Sequence, residues 1–139
     1  MFRILVTYKS RFDPPIRSAI ATKRIERGYL RQIKGRILPR PCKHSIQIGI
    51  NQHVLDPIGA SVNHSCNPTA RIIKRTVNFY FEILRPMIPG DELTFDYFKN
   101  ETLPLYEGFV CDTCKIYVDR GCGKDLPMRL HIKPQFVLK

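Results

Sequence analysis

Asn63-His64-Ser65-Cys66-Asn67-Pro68 is the stretch around which this 139-residue chain is read, and Gly90-Asp91-Glu92-Leu93-Thr94-Phe95-Asp96-Tyr97 follows it 27 residues later. Taken singly, each is ordinary turn chemistry: a short polar run closed by proline, and a Pro-Gly-Asp turn opening into an apolar strand. Order and spacing make them a pair.

Together they resemble the signature pair of SET-domain lysine methyltransferases, in which the first segment threads beside the second as a knot-like crossing that joins the methyl-donor site to the lysine channel. The resemblance extends, more weakly, from Ser18 to Cys122. Ala21-Thr22-Lys23-Arg24-Ile25-Glu26-Arg27-Gly28 is similar to the family's first block, a strand leading through a basic turn to a glycine. Just before it the family usually has Gly-x-Gly, whose bare backbone lies against the donor. Here Ile16-Arg17-Ser18 stands instead, placing side chains where glycine allows close approach. Gln32-Ile33-Lys34-Gly35-Arg36-Ile37 resembles a degraded Glu-Tyr-x-Gly-x-Ile and also reads as a Gly-centred turn.

Working outward, 43% apolar composition over 139 residues suffices for one core and is too little for two ordinary domains. Residues 3–8 read as a strand, Asp13-Pro14-Pro15 breaks it, and a β pattern resumes over 18–25. Residues 46–50 alternate like a half-buried strand, Asn51-Gln52 is a turn, and 53–55 pair back as a hairpin. Asp56 with Pro57 next reads as an N-cap with proline at the first helical position, so a single helical turn delivers Asn63. Val77, Phe79, Phe81 and Ile83 recur with period two, which predicts a strand over 77–84. Residues 86–90 turn the chain into a strand over 93–97. No segment carries a sustained helical period. The expected fold is mostly β, small sheets with a knot-like crossing, divided as 1–110 SET domain, 111–123 post-SET-like cysteine segment and 124–139 basic tail.

The formal charge of +11 is uneven, with 12 basic and 2 acidic side chains in residues 1–45 but 7 basic and 8 acidic in 91–139. A concentrated basic surface suits nucleic acid or a nucleosome, and serves equally as a solvated face. No run approaches the roughly eighteen apolar residues of a membrane span, and Ile4-Leu5-Val6 is too short for a signal peptide. An intracellular protein, nuclear or cytoplasmic, is expected. Five cysteines in such a chain point to metal or free thiols rather than a disulfide framework.

The resemblance implies site residues. Tyr97 is the catalytic tyrosine, its phenol orienting the incoming amine beside the donor. Asn63 and His64 contact S-adenosylmethionine, with Arg17, Ser18 and Ala19 at the Gly-x-Gly position, and His64 is not expected to act as a base. Phe95 limits how many methyls fit the channel. A second channel tyrosine has no counterpart, and Thr69 stands where the family commonly has asparagine. Cys111-x-x-Cys114, then seven residues, then Cys122 supply three thiols, with Cys66 as fourth ligand of a zinc site. This is similar to the post-SET arrangement despite different spacing. Cys42 has no partner in this scheme. The function implied is methyl transfer from S-adenosylmethionine to a protein lysine, a histone's being one candidate. The alternative is a catalytically weakened SET-like module that binds chromatin or nucleic acid, and a more distant one a small zinc-stabilised nucleic-acid binder.

Overall fold

In the computed structural model, residues 1–100 are described apart from 9, 41–43 and 50–51, together with 109–110 and 117–118. The expected β architecture is present as four small sheets among the described residues, and the elements expected from local pattern fall close to their places.

Strand β1 (Phe2–Thr7) and β2 (Ile16–Ala21) form a hairpin, registered Phe2 against Ala21 through Thr7 against Ile16. Strands β3 (Leu30–Gln32) and β4 (Arg36–Leu38) follow, separated by the turn at Gly35. That glycine is obligatory, because a Cβ there would run into the carbonyl of Leu55. β5 (Ile46–Gly49) and β6 (Gln52–Leu55) pair antiparallel as expected, with β6 central between β4 and β5. A 3-10 turn (Gly59–Ser61) then leads to β7 (Asn63–His64).

β8 (Ala70–Arg75) and β9 (Asn78–Ile83) form a hairpin as long as β1–β2, and β3 pairs along the other edge of β9. Period two in β9 buries Phe81 and Ile83 fully. Val77, expected on the same stripe, is instead 76% exposed, because the strand starts one residue later and Val77 sits in the turn after Thr76, which takes φ 59°. The β pattern expected over 18–25 stops at Ala21, and Ile25 retains only an isolated antiparallel bridge to Met87.

β10 (Glu92–Phe95) is the central strand. It runs antiparallel to β2 on one side, and on the other lies parallel to β7, Thr94 opposite Asn63 and Phe95 opposite His64. The sheet order is therefore β1-β2-β10-β7. Gly90 enters this strand at φ +97°, a conformation that excludes most side chains. Ile25, Phe81, Ile83, Met87 and Leu93 fill the space between sheets. The strand expected to run through Tyr97 ends at Phe95. Tyr97 opens a four-residue helix, α1 (Tyr97–Asn100), started by the Lys99 N–H donating to the Asp96 carbonyl. Further on, β11 (Phe109–Val110) and β12 (Tyr117–Val118) pair antiparallel. Among the described residues no helix is long and apolar enough to cross a bilayer.

Candidate functional site

The parallel ladder between β7 and β10 brings both signature stretches to one place. Asn63 is half-buried, and its amide nitrogen lies 2.8 Å from Glu92 Oε2, 2.9 Å from the Arg17 carbonyl and 3.3 Å from Ser18 Oγ. The two nearest partners accept only, so they fix which end of the amide is nitrogen and take up both of its hydrogens. The amide oxygen is thereby held as an acceptor, with its direction set by three strands. Arg17 and Ser18, expected at the donor site, do meet Asn63. Ala19, the third of that trio, is fully buried opposite Leu93, so its side chain belongs to the core and its contribution is confined to the backbone.

His64 is buried, and its Nδ1 accepts the backbone N–H of Tyr97 at 3.1 Å. The proton on this imidazole therefore belongs on Nε2. Asp96 Oδ1 lies 3.7 Å from the same Nδ1. Because that nitrogen serves as an acceptor and the separation exceeds a hydrogen bond, the geometry describes neighbours rather than a charged pair. The ring of His64 meets Tyr97 edge-on, centroids 5.4 Å apart.

Tyr97 is held at both ends. Its phenol donates to the Val62 carbonyl at 2.6 Å, one residue before Asn63, while its N–H is taken by His64. Phe95 is buried with its ring 4.8 Å from that of Tyr97 and 5.6 Å from Phe81. Phe95, Tyr97, Asn63 and His64, all singled out from sequence, thus share one neighbourhood. Cys66, two residues after His64 in the chain, is buried. Cys111, Cys114, Cys122 and Cys42 lie outside the described residues, and among the described residues no group of three or more metal-binding side chains occurs.

On the face of β10 opposite Leu93 and Phe95, a cleft of about 270 Å³ is lined by Asn63, Asn67, Thr69, Arg85, Glu92 and Thr94, among others. Several of these carried no role in sequence. Thr69 Oγ1 donates to the Glu92 carbonyl and accepts the Thr94 N–H, each at 2.9 Å, and the Thr69 N–H donates to Thr94 Oγ1 at 3.0 Å. Arg85 donates to the carbonyls of Pro68 (2.9 Å) and Asn67 (3.2 Å). Glu92 and Thr94, alternating with Leu93 and Phe95, share the other face of β10, a periodicity that by itself signals no chemistry. Arg85 gave no signal beyond being a cation before Pro86.

Upstream, Asp56 fixes the turn that delivers β7. It is fully buried, its Oδ1 accepting from the N–H groups of Ile58 and Gly59 (both 2.8 Å) and its Oδ2 from Arg31 Nη1 and the Lys34 N–H (both 2.7 Å). Asp56 bonds the N–H groups of the turn as a cap would, but the turn itself is Gly59–Ser61 with Ile58 at its N-cap, so Asp56 and Pro57 stand before it rather than at its first positions; Arg31 is an added counter-charge. Burial pushes its carboxyl pKa up, but the hydrogen bonds from Arg31, Gly59 and Lys34 and the Arg31 charge outweigh that and hold it below the ordinary value.

Comparison with known proteins agrees with this geometry. The family model described as the SET domain matches residues 14–98. The chain is 35% identical over 57 residues to a protein named histone-lysine N-methyltransferase Suv4-20 from Caenorhabditis elegans, and 33% identical over 57 residues to its namesake from Caenorhabditis briggsae. Each match covers 41% of this chain, and the chain spans about a fifth of the relatives' length, 20% and 18%.

Proposed function

Because this chain belongs to the SET-domain family, we propose that it transfers a methyl group from S-adenosylmethionine to a lysine side chain of a protein, with a histone as the class of substrate suggested by the names of its relatives. The observation that carries this reading is the convergence of Tyr97, Val62, Asn63 and His64. On this reading the parallel β7–β10 ladder marks the family's knot-like crossing.

The residues present suit the donor. Asn63 holds an amide oxygen in a fixed direction, which fits an ammonium group, and Glu92 adds a carboxylate beside it. The cleft is at the lower end of ligand-pocket volumes, so it fits one end of such a molecule rather than the whole. Bound there, the donor supplies an electrophilic methyl on a sulfonium. The protein's part is alignment and exclusion of water, for which no protein nucleophile is required. Tyr97, its hydroxyl proton committed to Val62, keeps oxygen lone pairs for an N–H of the arriving neutral amine and fixes the direction of the nitrogen lone pair. Phe95 lies against that ring as an apolar wall. Ser18 narrows the side on which Gly-x-Gly would leave backbone bare.

The zinc reading is also kept as part of the proposal. Cys66, Cys111, Cys114 and Cys122 would make a donor set suited to tetrahedral zinc, Cys66 being buried and Cys111, Cys114 and Cys122 lying outside the described residues. A shared ion would tie the tail to the segment that carries Asn63 and His64.

Calorimetry with S-adenosylmethionine, followed by transfer of labelled methyl to core histones, tests the function. Binding and transfer are expected, with Tyr97→Phe retaining binding but losing at least an order of magnitude in rate. A wild-type chain that binds no donor overturns the enzyme reading in favour of the catalytically weakened module. An unchanged rate in Tyr97→Phe removes that residue from catalysis.

A further inference from the structure

The β1–β2 hairpin is anchored at one end and bare at the other. Ala19 and Ala21 are buried where β2 meets β10, whereas Val6, Thr7, Ile16 and Arg17 are exposed towards the tip. Beyond them Tyr8 is 66% exposed and Phe12 83%, the most exposed large apolar side chain among the described residues. Two aromatic rings left in water at one tip contribute nothing to the core, and clusters of this kind mark contact surfaces.

The tip is nonetheless built. Ser10 closes its turn three ways: the Asp13 N–H donates to its carbonyl (3.3 Å), its hydroxyl donates to Asp13 Oδ2 (3.0 Å), and that same hydroxyl oxygen accepts the Phe12 N–H (3.2 Å). The turn thereby projects Phe12 and occupies the carboxylate of Asp13. The Arg11 guanidinium lies 4.9 Å from the Phe12 ring centroid, so ring and cation are presented together. Arg17, opposite Val6 in the hairpin register, is a second exposed cation. Glu92, on the neighbouring strand β10, is bonded to Asn63.

We propose that this tip is a docking surface for nucleic acid with unpaired bases, Phe12 and Tyr8 stacking on base faces while Arg11 and Arg17 meet phosphates. Charge complementarity selects the partner, because cations interleaved with exposed ring faces match the alternation of phosphate and base along a single strand. An acidic peptide would engage the cations and leave the rings unused. The surface is distinct from the methyl-transfer residues, although Arg17 also borders Asn63 through its carbonyl. It gives the basic N-terminal third a specific point of contact.

The test uses the full chain and a short fluorescein-labelled oligothymidylate, read by fluorescence anisotropy across a salt series. Phe12→Ala is expected to weaken binding about 5- to 150-fold, the range for loss of one stacked base. Arg11→Gln is expected to flatten the salt slope by about 0.7. Val77→Ala removes an equally exposed apolar residue from the β8–β9 turn and is expected to change nothing. Both exposed variants are checked for an unaltered circular dichroism spectrum. The proposal is overturned if the oligonucleotide does not bind, if Phe12→Ala binds as the wild type does, or if Val77→Ala weakens binding as much as Phe12→Ala. It is overturned equally if polyglutamate or phosphatidylserine vesicles compete as well as the oligonucleotide, which would assign the tip to an acidic protein or a membrane.

Discussion

Replacing Asp56 by asparagine tests how the fold holds the site in place. Its carboxylate shares four hydrogen bonds evenly, two per oxygen. The amide of asparagine can keep the pair from Ile58 and Gly59 through its oxygen, but its NH2 then faces Arg31 and the Lys34 N–H, donor against donor. The variant loses two charge-assisted bonds and leaves the Arg31 guanidinium, whose side chain is only 21% exposed, without its counter-charge. Removing one partner of a buried ion pair costs roughly 3–5 kcal/mol. Domain stabilities are on the order of 5–15 kcal/mol, so the variant should be close to unfolding in some conditions. For a domain of this size, at roughly 3–5 °C per kcal/mol, the melting temperature should fall by about 10–25 °C.

The same residue gives a pH dependence whose sign follows from its lowered pKa. A carboxyl with a folded-state pKa below its unfolded value stabilises the fold above the unfolded value, and that contribution disappears as pH falls through the folded one. Asparagine has no such contribution to lose. The stability gap between wild type and Asp56→Asn should therefore be full at neutral pH and shrink progressively below about pH 4, the unfolded carboxyl value. Urea unfolding followed by circular dichroism at a series of pH values measures it. A gap under about 1 kcal/mol at neutral pH, or one that stays constant on acidification, would refute the reasoning. Since Asp56 bonds the turn ending at Val62, whose carbonyl holds Tyr97, donor affinity should weaken in parallel.

Three further outcomes are expected. Phe95→Tyr should move the methylated products towards lower methylation states by mass spectrometry, at a stability cost of about 1–3 kcal/mol for a buried hydroxyl lacking a partner, and an identical product distribution would reject the channel role. One zinc per chain should be found by elemental analysis and be lost in Cys66→Ser as readily as in Cys114→Ser but kept in Cys42→Ser; full zinc in Cys66→Ser refutes the shared site. Gly35→Ala should destabilise by roughly 1–3 kcal/mol, because its Cβ meets the Leu55 carbonyl rather than a side chain that can turn away; a variant melting with the wild type would mean the backbone there can give.

What was legible in the sequence was local. The β5–β6 hairpin, the turn that Asp56 bonds and β9 each rest on alternation or capping within a few residues, and each falls within a residue or two of its expected place. β8 was missed because Ile72 and Ile73 are adjacent between cations, which breaks the alternation, and because its turn into β9 uses Thr76 at positive φ rather than a glycine. Tyr97 continues the period of Leu93 and Phe95, so nothing local announces that the chain turns helical there. Its N–H is instead taken by His64, 33 residues earlier. Long-range pairing decided the site as well: the β7–β10 ladder has two residue pairs, far too short to leave a periodic trace.

Two of the departures from the family's pattern, at Thr69 and Ser18, have different physical consequences. Thr69, in place of the usual asparagine, forms a reciprocal clasp with β10, its backbone and hydroxyl both bonding across to Glu92 and Thr94. Arg85 holds the carbonyls of the two preceding residues from the other side. The 63–69 segment is therefore pinned by a strand ladder at its start and a hydroxyl clasp at its end, so the substitution keeps the segment fastened to β10 by other chemistry. Ser18, in place of a glycine, does the opposite kind of thing: it adds atoms beside Asn63 rather than restoring a contact. A hydroxyl there is small and within hydrogen-bond reach of the amide, so it borders Asn63 while leaving the amide oxygen as an acceptor. On the proposed function, position 18 is therefore where the loss of Gly-x-Gly would bear on donor binding, since Ser18 reaches Asn63 whereas Ile16, at 37% exposure, lies on the outer half of the hairpin.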